Sequence, residues 1–277
     1  MVEDIVEEIL FRARTSQIEW IEDALQIKLR EKLKSWPSFL EVCERRNGYI
    51  HSDSKMTQRY IERVTSQSNK KSPTLSVGDS LVHNGTYFEN AADALLEMSL
   101  LLVQKVARVL CADDASVIEE LDKAFNSAIF DQNLRERYNS ASRIAQLAED
   151  GEVILKDLYS KMATVNYAVA QKQLGKSARS KRLIESVDWS SAMPEFQLCV
   201  AAVNDDFSGV CSLIPSMIGS GLVKPQSFFE WPVFQSARSE PEFWKVLADT
   251  YGDRLGDLPS DLINASKAVE EEPKDSA

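Results

Sequence analysis

The chain has 277 residues, of which 44% are hydrophobic and 27% charged, a composition typical of soluble globular proteins with one large or two ordinary domains. Its formal net charge of -11 argues against a surface that coats nucleic acid broadly, but it is compatible with a local basic patch. Four separated cysteines without a CxxC pair and only two histidines argue against a Cys/His zinc site, so we expect reduced cysteines, no metal and no other cofactor.

No membrane segment is expected. The opening sequence MVEDIVEEIL is acidic and amphipathic, unlike a secretory signal peptide. The longest apolar stretch, residues 99–110, is interrupted by Gln104, Lys105 and Arg108, which leaves it too short and too charged to span a bilayer. We therefore expect a cytoplasmic protein that does not enter a membrane.

The N-terminal half is predicted to be helical, because its apolar residues recur mostly three and four positions apart and its glycines and prolines lie between these periodic segments. The predicted elements are helices over 3–34, from 39 to about 51, over 56–64 and over 89–111, a loop at 65–74 and an extended excursion before the last helix. That long helix is expected to begin at Glu89 or Asn90, and its apolar face is predicted to comprise Ala91, Leu95, Met98, Leu102, Val106 and Leu110.

The C-terminal half is predicted to contain helices of 10–20 residues with short connectors, beginning after a domain boundary near the helix N-cap at Asp113-Asp114. Two neighbouring stretches resemble each other, with tight turns at Leu174-Gly175 and Asn204-Asp205. Gly175 and Asp206 are 31 positions apart, close to a tetratricopeptide period. A helical-repeat-like domain is therefore predicted, with an irregular helical bundle as the alternative. The expected organisation is an all-α chain with domains at 1–112 and 113–256 and an acidic disordered tail at 257–277.

One short stretch, CERRNGYIHSD at 43–53, carries the candidate chemistry. On a helix Asn47 and His51 lie one turn apart on the same face, which Glu44 shares. Arg46 lies about 140° from His51 around the helix axis. It could therefore act with His51 on one phosphate only if the helix distorts or a second copy of the chain completes the site. Gly48 is a candidate point for such a distortion.

The stretch resembles the signature of the HEPN ribonucleases, in which an arginine precedes a histidine by four to six intervening residues and is often followed by asparagine. Arg46, Asn47 and His51 match this pattern, and Arg45 fits at the next allowed spacing. The resemblance covers roughly residues 15–112. It implies a homodimer with a composite site that cleaves RNA without metal, leaves 2′,3′-cyclic phosphate and 5′-OH ends, and acts in bacterial defence or stress as a growth-arresting toxin.

The residue types suit this chemistry. A histidine near neutrality can act as general acid or base, and a guanidinium can stabilise negative charge on the phosphorane-like transition state. His51 is therefore the expected acid/base, Arg46 the phosphate ligand and Asn47 the orienting group. The expected supporting residues are Glu44, Arg45 and Tyr60, where the tyrosine either stacks on a base or belongs to the core.

A basic island surrounds the motif. Residues 45–71 hold seven basic and two acidic side chains, a net charge of +5, which would recruit RNA locally unless these are merely solvated helix faces. Lys55, Arg59 and Arg63 are the expected RNA-binding residues. The other histidine, His83, is interpreted as a turn or surface residue.

A non-catalytic function is the competing interpretation. In that case the HEPN-like domain serves as a dimerisation or RNA-binding module, and the C-terminal helices form a scaffold for partner proteins. In the catalytic interpretation the same C-terminal helices bind a protein partner or regulate the site. The presence of all three residues, Arg46, Asn47 and His51, favours the enzyme, because a scaffold alone would not require them.

Overall fold

The protein is all-α, as the sequence predicts. The computed structural model describes residues 14–66 and 75–252, and in these ranges it contains twelve α-helices, two short 3-10 helices and no strand. Most of the predicted loop at 65–74 and the predicted tail at 257–277 lie outside the described residues. None of the described helices combines the length and apolar character needed to cross a bilayer.

The described residues form two compact units, the first within 1–121 together with 151–153 and the second within 122–150 together with the residues from 154 onward. The sequence places its domain boundary near 113, whereas this division falls inside a helix. The helices are α1 (Arg14–Leu25), α2 (Trp36–His51), α3 (Gln58–Ser66), α4 (Gly85–Leu110), α5 (Ala115–Leu134), α6 (Tyr138–Glu149), α7 (Asp157–Gln173), α8 (Ser177–Glu185), α9 (Pro194–Val203), α10 (Phe207–Gly219), α11 (Pro225–Glu230) and α12 (Pro241–Tyr251), with 3-10 turns at Pro232–Phe234 and Ala237–Ser239.

In the first unit, α2 packs against both α3 and α4. Pro37 does not interrupt α2, since a proline in the first turn of a helix sacrifices no intrahelical hydrogen bond. Trp36 and Phe39 stack with ring centroids 5.4 Å apart. The apolar side chains that fill this core are Leu29, Leu33, Trp36, Phe39, Leu40, Ala94, Met98 and Leu101.

The segment between α1 and α2 is organised by one buried carboxylate. Glu22 accepts hydrogen bonds from the backbone N–H groups of Leu29 (2.6 Å) and Arg30 (2.8 Å) and from Arg30 Nε (2.5 Å). Burial alone would raise the pKa of Glu22, but the hydrogen bonds to its charged form outweigh burial and lower it. The carboxylate therefore fixes the chain just before the helix that carries the candidate site.

Helix α4 begins earlier than the sequence predicts. Its N-cap is Asn84, whose side-chain oxygen accepts a hydrogen bond from Tyr87 N at 2.8 Å. The buried face is also offset from the predicted one, because Glu97 and Gln104 are buried while Leu95 is 43% and Leu110 66% exposed. A buried polar residue gives no signal in an apolar pattern, and this explains the shift.

In the second unit, the sequential helices from α6 to α10 pack as neighbours, and recurring turns join several helices. Residues 136, 175, 205 and 221 each have positive φ and follow a helix whose last carbonyls accept hydrogen bonds in the Schellman pattern. At one of these turns, Gly175 N bonds to Lys172 O and Lys176 N bonds to Gln171 O. The core of this unit contains Phe125, Ile129, Ile144, Leu198, Ile214, Phe228, Phe234 and Phe243.

Candidate functional site

All three motif residues lie on α2, which runs unbroken from Trp36 to His51. Gly48 therefore does not distort the helix as the sequence interpretation proposed. Its role is to allow close packing, because a Cβ atom at this position would lie 2.5 Å from Leu81 Cδ1. Since α2 is continuous, Arg46 and His51 keep an angular separation of about 140° around it.

The chain beyond α2 folds back beside the C-terminal end of that helix. Asp53 and Ser54 both adopt positive φ, 47° and 60°, and this allows the tight reversal. Leu81 N then donates to Ser54 O at 2.8 Å, and Lys55 and Ser80 form an isolated antiparallel bridge. This pairing holds Leu81 against Gly48, next to the last turn of α2.

Arg46, Asn47, Ile50 and His51 form what we call the α2 strip, an arc on the outer side of the helix. Arg46 and His51 are exposed, Asn47 is half-buried, and Ile50 is 54% exposed. Arg46 Nη1 lies 3.4 Å from Asn47 Oδ1, whereas the imidazole of His51 makes no hydrogen bond to any described residue. Within one chain the structure thus brings Arg46 to Asn47, but it does not bring Arg46 into contact with His51.

The side chain of the neighbouring Arg45 is held by hydrogen bonds and by an aromatic ring. Its Nε donates to Glu41 Oε1 at 2.6 Å, its Nη1 donates to Val82 O at 2.6 Å, and its Cζ lies 4.2 Å from the centroid of the Tyr87 ring. Burial by itself would lower the pKa of Arg45, but the hydrogen bond to Glu41 raises it, so the guanidinium stays charged. Arg45 is held by packing and hydrogen bonds, and Arg46 is the arginine exposed to a ligand.

Glu41 is the centre of this network and was not identified from the sequence. In addition to Arg45, it accepts hydrogen bonds from Tyr60 OH (2.7 Å) and Tyr87 OH (3.0 Å). Burial and the negative charge of Glu41 raise the pKa of both tyrosines. The only available sequence signal was the spacing of four residues between Glu41 and Arg45, which places oppositely charged side chains next to each other on a helix.

Three expected supporting or RNA-binding residues have structural partners. Tyr60 is buried, so its ring is not available to stack on a base, and its hydroxyl bonds to Glu41. Glu44 is buried and forms an ion pair with Arg63. Neither member of that pair therefore presents a free charge to a ligand.

The basic island is smaller than the sequence predicts. Arg45 and Arg63 are neutralised by Glu41 and Glu44, and Lys70 and Lys71 lie outside the described residues. Among the described residues, the cations of the island without an acidic partner are Arg46, Lys55 and Arg59, and Lys55 Nζ bonds only to the hydroxyl of Ser80 at 3.0 Å.

His83 lies closer to α2 than the surface interpretation implied. It is exposed, but its Nδ1 is 2.9 Å from Tyr49 OH, and its ring packs edge-on against the rings of Tyr49 and Phe88. Tyr49 OH also donates to Leu81 O at 3.1 Å. These contacts attach the segment before α4 to the helix that carries the motif.

The thiol next to the motif on α2 is not activated. Burial raises the pKa of the Cys43 thiol, and the charge of Glu44 adds to this, so the thiol is a poor nucleophile near neutral pH. Across residues 14–66 and 75–252, no group of three or more His, Cys, Asp or Glu side chains is arranged to hold a metal ion.

The fold and the site together define an all-α protein with an exposed strip of arginine, asparagine and histidine on one helix. No known protein family, curated protein or solved structure matches the chain.

Proposed function

We propose that the protein is a metal-independent endoribonuclease of the HEPN type, which acts as a homodimer on RNA in bacterial defence or stress. The observation that carries the proposal is the α2 strip, an arc of one helix on which Arg46 and His51 are exposed and Asn47, half-buried, contacts Arg46. Arg45 beside them is locked into the fold, so the exposure of Arg46 is a property of that position and not of every arginine in the stretch.

The reaction requires only groups that RNA and this strip supply. The 2′-OH of the ribose loses its proton to one imidazole and attacks the adjacent phosphorus, while the 5′ oxygen leaves and takes a proton from the conjugate acid. His51 performs the proton transfers, and Arg46 donates to the phosphoryl oxygens as negative charge builds on them. Asn47 orients Arg46, whose guanidinium lies beside its amide oxygen. The products are a 2′,3′-cyclic phosphate and a 5′-OH end.

Dimerisation is part of the proposal because Arg46 and His51 are separated around α2. A second copy facing the α2 strip would bring the His51 of one chain toward the Arg46 of the other. Exposed Ile50, between them on the helix surface, offers an apolar contact for such a copy.

Helix α4 provides a second surface that supports self-association. Seven residues, spaced alternately four and three apart, lie along it, as in the seam of a coiled coil. None of the seven is buried, and Phe88, Leu95 and Val109 are 57%, 43% and 46% exposed. We call this seam the α4 stripe, and it comprises Phe88, Ala92, Leu95, Ser99, Leu102, Val106 and Val109.

The second unit is proposed to be a helical-repeat-like domain that binds a protein partner or regulates cleavage. Its support is the recurrence of the same turn between successive helices, at Glu136, Gly175 and Asp205. At Gly175 and Asp205 the turn reverses the chain after a left-handed residue and stacks α7 beside α8 and α9 beside α10.

The direct test is cleavage of total RNA in EDTA by the parent protein, Arg46→Ala and His51→Ala. Both variants should lose at least about 100-fold in rate, the usual contribution of a general acid/base or a transition-state donor. The matched control is His83→Ala, which removes the other histidine and should retain cleavage. The 3′ ends should carry cyclic phosphates.

A parent protein that does not cleave, although it is dimeric and binds RNA, would overturn the catalytic assignment and favour the binding-module alternative. Equal cleavage by the parent, Arg46→Ala and His51→Ala would show that any nuclease activity has another source. Circular dichroism of each variant checks that loss of cleavage is not loss of folding.

A further inference from the structure

A cavity of about 440 Å³ lies within the second unit, and it is separate from the α2 strip. This volume is within the range of small-molecule sites in proteins. Most of the wall is apolar, and the large side chains that form it are Phe130, Met162, Val165, Phe196, Trp231 and Val233. A ligand that fills the cavity must therefore have a substantial apolar body.

One carboxylate in the cavity wall, that of Glu195, has an oxygen that lacks a hydrogen-bond donor. Glu195 Oε2 is buried and has no hydrogen-bond partner among the described residues. A carboxylate oxygen that is desolvated without a donor is costly, so a ligand that supplies an N–H to it gains a strong interaction. The polar pair in the same wall is satisfied internally, because Asn166 Nδ2 donates to Asn126 Oδ1 at 3.0 Å.

The nearby thiol of Cys199 does not supply this hydrogen bond to Glu195. Cys199 lies one helical turn further along α9, and burial raises its pKa to about 12, with the negative charge of Glu195 adding to the effect. The thiol therefore stays protonated and uncharged, and Glu195 Oε2 accepts no hydrogen bond from it. Among the described residues that line the cavity, none is a lysine or an arginine.

Exposed apolar side chains form part of the cavity wall. Leu158, Met193 and Leu222 all line it and are 39%, 48% and 46% exposed. Exposed apolar groups at the edge of a cavity give a ligand further surface to cover. Asp131, another lining residue, is exposed and adds negative charge on the solvent side.

We propose that this cavity binds a small organic cation, with an apolar or aromatic body in the cavity and one ammonium group that donates to Glu195. The proposal goes beyond the nuclease function and does not depend on it. It excludes anionic ligands, because a second carboxylate beside Glu195 would meet like charge at low dielectric.

The test uses three probes with one shape, 4-phenylbutylamine, 4-phenylbutan-1-ol and 4-phenylbutyrate, titrated calorimetrically into the full chain near neutral pH. The amine should bind at least about tenfold more tightly than the alcohol, the usual effect of a charge-assisted hydrogen bond, and the carboxylate should not bind. In Glu195→Gln, which keeps the side-chain shape, the preference for the amine over the alcohol should vanish. Glu185→Gln is the matched control, because this exposed glutamate of the second unit does not line the cavity, and it should keep the preference.

The position of the probe can be read separately from its affinity. In spectra of ¹³C-methyl methionine, the amine should shift Met162 and Met193, which line the cavity, and leave Met98 in the first unit unchanged. Equal binding of the amine and the alcohol, an amine preference that survives Glu195→Gln, no binding of any probe, or shifts confined to Met98 would each overturn the proposal.

Discussion

At the scale of single residues, two adjacent arginines have opposite surroundings. Arg45 has a side chain that is 13% exposed and is bound by Glu41, whereas Arg46 is exposed and, among the described residues, its side chain has one hydrogen bond, to the amide of Asn47. Removing one member of a buried ion pair leaves the other charge uncompensated, while an exposed arginine contributes little to folding. Arg45 therefore has a structural role, and Arg46 is the arginine that remains available for the proposed chemistry.

We therefore expect Arg45→Ala and Arg46→Ala to separate stability from cleavage. Arg45→Ala should lower the free energy of unfolding by about 2 kcal/mol, because the part-buried Glu41 is left without its guanidinium. Arg46→Ala should change it by less than about 0.5 kcal/mol, yet abolish RNA cleavage. Urea denaturation and cleavage assays on both variants measure this. A large loss of stability in Arg46→Ala would contradict the assignment.

The tyrosines around Glu41 make the free energy of unfolding depend on pH. The pKa values of Tyr60 and Tyr87 are raised above their ordinary value of 10.0 by burial and by Glu41, so the folded state holds these protons more tightly than the unfolded chain. Their contribution to stability is complete below pH 10 and is lost as the pH rises through the folded-state pKa values. Stability should therefore fall above pH 10. The fall should be smaller in Tyr60→Phe/Tyr87→Phe, as measured by urea unfolding from pH 8 to 11.

At the scale of secondary-structure elements, the contact between Gly48 and Leu81 joins α2 to the segment before α4. Alanine at 48 would favour the helix intrinsically, by about 1 kcal/mol. Its Cβ would however overlap Leu81 Cδ1, and overpacking of this kind costs about 1–3 kcal/mol. The contact therefore decides whether the substitution helps or harms the fold.

We expect Gly48→Ala to be destabilising by about 1–2 kcal/mol, and Leu81→Ala to be destabilising because it removes a buried side chain. The double variant should be less destabilised than the sum of the two, since the shortened side chain at 81 makes room for the new methyl group. A double-mutant cycle from chemical denaturation measures this coupling. Strict additivity would show that the two residues do not meet.

The sequence predicts helices well where apolar periodicity and caps agree. Asp114 is an example, since it accepts hydrogen bonds from Ser116 N and Val117 N at the start of α5. It predicts less well where polar residues are buried. The start of α4 after Asn84 was missed because asparagine and glycine in succession are also typical of turns. Glu41 was missed because its partners Tyr60 and Tyr87 are distant in sequence.

The candidate site could also be predicted from the sequence only in part. Local spacing on α2 sufficed to place Asn47 and His51 near each other on the helix surface. It could not show which of Arg45 and Arg46 is exposed, because this depends on Val82 and Tyr87, which reach α2 only after the chain has folded. It also overestimated the basic island, since Glu44 neutralises Arg63.

At the scale of the whole molecule, a composite site makes a specific prediction about mixed dimers. Homodimers of Arg46→Ala or of His51→Ala have no complete site. If Arg46 of one chain acts with His51 of the other, a dimer of one Arg46→Ala chain and one His51→Ala chain keeps one intact site. An equimolar mixture, exchanged to equilibrium, should therefore recover about one quarter of the parent activity, because about half of the dimers are mixed.

The measurement is RNA cleavage after the two inactive proteins are unfolded together and refolded. Recovery near this level supports sites shared between chains. No recovery, with mixed dimers demonstrated by two affinity tags, would mean that both groups must come from the same chain. The control is the same procedure applied to each inactive protein alone.

The exposed α4 stripe has a consequence for how such an enzyme would behave at different abundances. If the stripe is where two chains meet, dilute chains are mostly monomeric, and the amount of paired protein rises with the square of concentration below the dissociation constant. A cell could then carry a few copies without harm, and a modest increase in expression would produce a disproportionate rise in RNA damage. The molecule would in this way act as a dosage threshold without any separate inhibitor.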